Sequence, residues 1–497
     1  MKRTLAVVAS VVILLGLAPA AFAQAPAPKV TINGLFDQIT SAGRNLYDGN
    51  FSRSSESEWY ARTRFRPDFT FEVGRTKAVL GLEMDLTYGT TTGGDGSFGA
   101  GCGKGGGNGC LDAGTDVAGI IEIKWIYTEF DLTGKDSLMP FIPVGTVARL
   151  GGQPYSTLAN YKVTYANGDF GGVSTRTTFA PNLRLALAYV QVEEELATRA
   201  TAVTGRGNDF AIIISPEITP FKGLDIKPLY SYFYAQGSTS GAARRGVANQ
   251  QGAVAPTQED RHTIGVDTRW RSGPFSLDPT IYYQFGEIDQ RGVGTSDISA
   301  WLIDVIAGWR LGPLLLEARG VWTTGNEASD DLRTSDRNYF QPLSTDTGYW
   351  AGWSQIQALG VDYFNGGGGT LAGMSTNIGY DRYGRRGFAV RATYSLTPRL
   401  AFYGIVSPTW TDEKVDTDTT SGTGGRGAPT AATNAGDSRY IGTEADLGMT
   451  WRFAPNTAFD LVGAWLFAGS ALDTVDASGA RDAQDAWTVA ARVRLAF

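Results

Sequence analysis

From Val30 to Phe497, apolar and polar side chains alternate with a period of two, again and again, in segments of about ten residues. That period belongs to strands with one apolar and one polar face. The segments lie near 30–39, 58–73, 78–88, 118–132, 141–150, 171–180, 183–194, 208–219 and 224–236. They continue near 261–271, 275–288, 298–310, 314–324, 386–397, 399–410, 439–453, 457–469 and 485–497. About ten tilted residues is the length of strand that crosses a bilayer.

The joins between segments sort by parity. Tight ones are Gly74-Arg75-Thr76-Lys77, Pro181-Asn182, Pro220-Phe221-Lys222-Gly223, Ser272-Gly273-Pro274, Gly312-Pro313, Thr397-Pro398 and Pro455-Asn456. They alternate with long polar stretches near 40–57, 89–117, 151–170, 237–260, 325–385 and 411–437. Short turns at one rim and long loops at the other describe a transmembrane barrel, and a soluble sandwich has no reason to sort its joins this way. The exception is 325–385, where Tyr349-Trp350-Ala351-Gly352-Trp353 through Phe364 reads as a loop helix or an additional hairpin. The fold expected is all-β: a transmembrane antiparallel β-barrel of about eighteen strands, within a range of sixteen to twenty, with short periplasmic turns and long extracellular loops.

The two faces can be checked against each other. Along 58–73, Trp59, Ala61, Thr63, Phe65, Phe69 and Phe71 share one face; Glu58, Tyr60, Arg62, Arg64 and Arg66 share the other. On the next segment Leu80, Leu82, Met84 and Leu86 oppose Glu83 and Asp85. Pairing Val73 with Ala78 across a four-residue turn sets Arg66 opposite Asp85, so the polar faces coincide. The last segment sends Trp487, Val489, Ala491, Val493, Leu495 and Phe497 outward, with Arg492 and Arg494 inward. Outward aromatics fall into two bands: Trp59, Trp301, Trp322, Trp465 and Trp487 at the long-loop rim, Trp270, Trp309, Trp451 and Phe497 at the short-turn rim. Such bands are interfacial girdles.

The ends and the composition fit an exported protein. Lys2 and Arg3, an apolar run from Leu5 to Leu17 and Ala21-Phe22-Ala23 read as a signal peptide over 1–23, leaving 24–497 as the barrel. The formal net charge is −7, and loss of Lys2 and Arg3 makes it more acidic, which argues against nucleic acid as a partner. Cys102 and Cys110, the two cysteines, stand in a Gly-rich stretch; in an exported chain a disulfide between them is favoured over a metal site.

The closing Ala486 to Phe497 resembles the terminal strand of Gram-negative porins, whose final aromatic is read by the assembly machinery. Val144 to Gln153 resembles the fifth strand of general porins; the loop that follows, here Pro154 to Phe170 with Asp169 as its acid, is in that family the constriction. The stretch 439–469, with Tyr440-Ile441-Gly442-Thr443-Glu444-Ala445-Asp446-Leu447, Pro455-Asn456 and Phe467-Ala468-Gly469, resembles the end of the eighteen-strand alginate-export-like barrels. The resemblance implies an outer-membrane location amid lipid and lipopolysaccharide, the barrel assembly machinery as a partner in biogenesis, and a homotrimer as the assembly.

No catalytic constellation stands out, and neither an enzyme nor a cofactor is expected. His262 has the parity of an outward-facing residue near the loop rim, away from partners for acid–base work. Gly101-Cys102-Gly103-Lys104-Gly105 lacks the Ser/Thr that a phosphate loop places after its Lys. Asp412, Glu413, Asp416 and Asp418 read as a solvated acidic loop before a cation site, and no Cys-x-x-Cys-His haem motif occurs. The chemistry that remains is charge on the inner wall: Arg62, Arg64, Arg66, Arg492 and Arg494, with Glu83 and Asp85 beside them and Asp169 in the loop. As a stripe in a pore these Arg favour anions; as wall ion pairs they only stiffen it. The function expected is a porin passing small hydrophilic solutes, with a bias toward anions under the first reading. Its rivals are a dedicated barrel for (poly)saccharide export or uptake and a plugged structural or adhesive surface barrel.

Overall fold

Alternation becomes a cylinder when each strand pairs with the next and the last with the first. The computed structural model describes residues 27–46, 57–88, 121–156, 165–194, 208–236, 258–290, 294–330, 334–343, 348–358, 370–371, 374–375, 382–417, 436–476 and 479–497. Its strands are β1 (Lys29–Arg44), β2 (Ser57–Val73), β3 (Thr76–Tyr88), β4 (Ile121–Thr133), β5 (Gly145–Ser156) and β6 (Asn167–Ala180). Next come β7 (Leu183–Glu194), β8 (Asn208–Phe221), β9 (Leu224–Gln236), β10 (Gln258–Ser272), β11 (Phe275–Gln290) and β12 (Gly294–Leu311). The circuit ends with β13 (Leu314–Thr323), β14 (Arg385–Thr397), β15 (Leu400–Val415), β16 (Ser438–Ala454), β17 (Thr457–Ala468) and β18 (Ala486–Ala496). All eighteen form one sheet, each antiparallel to its neighbours. β1 closes it, pairing with β2 on one side and β18 on the other. Phe497 and Gly34 exchange backbone hydrogen bonds at 2.9 and 3.1 Å, and the Phe497 ring stacks on Phe65.

Closure satisfies the backbone without water, the requirement that hydrocarbon imposes. The side chains obey the same logic, inverted relative to a soluble protein. Ile32, Phe71, Val489 and Leu447 on the outward face are exposed, while Asp304, Arg319, Asp267 and Glu444 on the inward face are buried. Trp59, Trp301, Trp322 and Trp465 are exposed near the long-loop rim, and Trp309, Trp451 and Phe497 near the other. His262 lies among Tyr230, Tyr232 and Phe285 on the outer surface, with the Tyr230 hydroxyl 3.0 Å from its Nδ1.

Three details differ from the sequence expectations. The β2–β3 turn is the two residues Gly74-Arg75, because Gly74 takes a left-handed φ of 60° that reverses the chain at once. Val73 therefore pairs with Thr76, Arg64 faces Asp85, and Arg66 lies opposite Glu83. The shift is by two residues, so each side chain keeps its face. Second, β5 begins at Gly145: Pro140 and Pro143 lack the N–H that a ladder needs, and Phe141 is left 78% exposed in the preceding turn. Third, the described residues of the region 325–385 add no spanning strand before Arg385 opens β14. They form irregular turns at 348–358 and a short ladder, Thr370–Leu371 with Met374–Ser375.

Candidate functional site: a lumen narrowed by an inward-folded loop

Period-two alternation sends a polar residue into the lumen at every second position, and closure brings these into rows. Arg64 and Arg66 converge on Glu83, with Arg64 Nη2 to Oε1 at 2.9 Å and Arg66 Nε to Oε2 at 2.8 Å. Lys124 Nζ lies 4.0 Å from the same carboxylate. Across the closure, Arg492 donates to Asp37 at 2.6 Å, and Arg494 Nε sits 2.7 Å from Asp460. The structure thus brings five of the sequence-derived site residues, Arg64, Arg66, Glu83, Arg492 and Arg494, onto the inner faces of β2, β3 and β18. Each of these Arg has a carboxylate partner. The side chains of Arg62, Asp85 and Asp169 lie outside the described residues, as do Cys102 and Cys110 altogether.

The stretch 154–170 contributes less loop than expected. Pro154–Ser156 and Asn167–Phe170 pair as strand, lengthening the β5–β6 hairpin. Only its end is seen to turn inward: Tyr165 is fully buried, donates to Ser231 Oγ at 3.0 Å and meets the Tyr282 ring edge-on.

Among the described residues, the connection between β13 and β14 fills most of the lumen that is filled. It folds back inside the barrel against the inner wall of β9–β16. Trp350 and Trp353 are buried there with Phe340 and Leu343, packed on Phe233, Leu302, Val321 and Ile405. Polar anchors fix its path. Gln341 and Gln284 exchange hydrogen bonds at 2.9 and 2.6 Å, and Arg261 Nη1 donates to Gln341 Oε1 at 2.6 Å. Arg337 pairs through its backbone with Asp297 and Ser299 on β12. Arg391 donates to the Gly352 carbonyl at 2.9 Å and lies over the Trp353 ring at 4.1 Å. Burial pushes the Tyr339 phenol up in pKa, against the pull of Arg337, which donates to it at 2.7 Å.

Glu444 on β16 holds the loop most firmly. Its carboxylate accepts the Ser354 hydroxyl at 2.5 Å and the backbone N–H groups of Gln355, Ile356 and Gln357 at 2.7 to 2.9 Å. A carboxylate gathering successive N–H groups is a strong, directional anchor. Gln357 adds a bond from Nε2 to the Ser407 carbonyl at 3.0 Å.

The two halves of the wall therefore differ. Under the loop, the side chains of the Arg319–Asp304 pair have 0% exposure. On the β1–β5 side, those of Arg66, Lys77 and Arg149 remain 32%, 36% and 36% exposed. Among the described residues no group of His, Cys, Asp and Glu is arranged to hold a metal. Asp412 is engaged by Trp322 Nε1 at 2.9 Å and Arg386 at 2.9 Å, and Glu413 by Arg439 at 2.8 Å.

Sequence reasoning missed Glu444 as an anchor and missed the loop's destination. One signal was present: Ile298, Ala300, Leu302 and Ile306 make the inner register of β12 apolar but for Asp304, while Trp301, Ile303, Val305 and Trp309 do the same outside. A strand apolar on both faces is covered on both faces.

No protein-family model and no curated protein matches the chain. Solved structures do. OccK8 (OprE) of Pseudomonas aeruginosa is similar over 94% of this chain and 98% of its own, at 11% identity and a TM-score of 0.49. OprD of the same organism matches over 96% and 97% at 11% identity and a TM-score of 0.48. OccK10 (OpdN), also of Pseudomonas aeruginosa, matches over 94% and 99% at 12% identity and a TM-score of 0.46.

Proposed function

We propose that this eighteen-strand barrel is an outer-membrane channel for small hydrophilic solutes, with the β13–β14 loop as its constriction. The observation that carries the reading is the asymmetry of the inner wall. Loop and wall pack closely along β9–β16, whereas Arg66, Lys77 and Arg149 on β2–β5 keep contact with solvent. A solute passing through would meet Arg66, Lys77 and Arg149 and be turned away from the half that the loop fills.

The ion pairs set the expected selectivity. Among the described side chains, Arg64 and Arg66 share one carboxylate, Glu83, which leaves positive charge in excess there. Arg492 and Arg494 each have their own. A preference for anions follows from the shared pair, and a weak one, because most of the wall is balanced. Planar-bilayer recordings on the purified protein test the proposal. Stable ohmic steps, with a reversal potential in a salt gradient displaced toward the anion and reduced by Arg66→Ser, are expected. A barrel that inserts and stays silent contradicts it.

A further inference from the structure

The lumen wall carries a feature that passage alone does not require. On β1–β4 the inward residues form tiers across neighbouring strands. One tier reads Asn33, Asp68, Gly81, Trp125, each in register with the next. The tier below, toward the short turns, reads Thr31, Thr70, Val79, Tyr127. The β3–β4 ladder shifts by one residue between Gly81 and Leu82. Such a bulge re-aims side chains, and it is found beside binding sites. Here Trp125 follows it. A Cβ placed on Gly81 would fall on the pyrrole ring of Trp125, so the indole lies face-down across the glycine. Its other side lines an open cavity of about 490 Å³, together with Tyr127, Asn33, Asp68 and Thr70.

The charges around this cavity cancel. Lys29 pairs with Glu72 at 3.3 Å, Lys77 and Arg149 share Glu129, and Asp68 is the third carboxylate against these three cations. Arg149 also lies 5.0 Å over the Tyr127 ring. The result is a flat aromatic surface on one side, planar and hydroxylic hydrogen-bonding groups on the other, and no net charge. We infer that it is a binding subsite for a neutral saccharide. A pyranose has an apolar C–H face suited to an indole and a rim of hydroxyls that both donate and accept, as Asn33, Asp68 and the threonines require. An anion gains nothing here, and an apolar solute leaves the polar groups unpaired. The inference rests on the lumen being open to solvent, as proposed above.

A glycine covered by an aromatic also occurs for packing alone, so the test must separate the two roles. The full-length protein in planar bilayers is exposed to maltotriose, with polyethylene glycol of equal mass as the size control. Maltotriose is expected to reduce the current in a saturable way, Trp125→Ala to weaken the block about tenfold, and Trp125→Phe to retain most of it. Tyr127→Ala carries the same test if Trp125→Ala fails to fold. Maltotriose acting no differently from the polymer, or blocking both alanine variants like the parent, overturns the inference. Equilibrium dialysis of labelled maltotriose against the protein in detergent micelles needs no conductance. Binding lost in Trp125→Ala supports the subsite even if the barrel is silent, and absence of binding by a conducting parent sinks the subsite alone.

Discussion

Glu444 shows how one side chain can hold a loop inside a barrel. Four donors from Ser354 to Gln357 end on its carboxylate. Each net hydrogen bond to a charged group is worth about 1.5–3 kcal/mol. Glu444→Ala is expected to loosen the loop by several of these, raise conductance and remove the amide-exchange protection of 355–357; unchanged exchange there contradicts the anchor. Arg319 and Asp304 test the dry half of the wall. Arg319→Met alone strands a buried carboxylate and should cost about 3–5 kcal/mol. Adding Asp304→Leu should recover much of that, which a double-mutant cycle of unfolding in micelles would measure. Neither role was legible in the sequence. Glu444 and Asp304 alternate with apolar neighbours like any lumen acid, and their partners lie 87 to 90 and 15 residues away in the chain.

Strands and turns were far more legible, because their cause is local. Period-two alternation sets which face most strand residues present, and the girdle Trp face outward while Arg64, Arg66, Arg492 and Arg494 face inward. The bulge before Trp125 interrupts the rule. Register depends on turn length, which a single φ at Gly74 decides, and there the expectation slipped by two. The β13–β14 loop depended on a surface assembled from eight strands, so no window of sequence contains its destination. Its removal gives a clear expectation. Replacing 326–382 by a short Gly/Ser link should leave β13 and β14 paired, since Thr323 and Arg385 are already in register. Conductance should then rise severalfold. Thermal stability should fall, because Phe233, Leu302, Val321 and Ile405 would face water at about 25 cal/mol per Å² of apolar surface. A variant with unchanged conductance would show that the loop does not set the bore.

At the scale of the molecule, the inverted surface and the unequal lumen make one physical statement. On the proposed function, lipid takes the greasy outside, the inward-folded loop takes one half of the inside, and water takes the other. Thiol accessibility in a cysteine-free background addresses that division most directly. A charged methanethiosulfonate reagent is added to single channels carrying Arg66→Cys, Lys77→Cys or Ala389→Cys. The first two should react within seconds to minutes and step the current down, while the third, beneath the loop, should stay unmodified with its current unchanged. Equal reaction at all three positions, or reaction at 389 alone, would contradict the account.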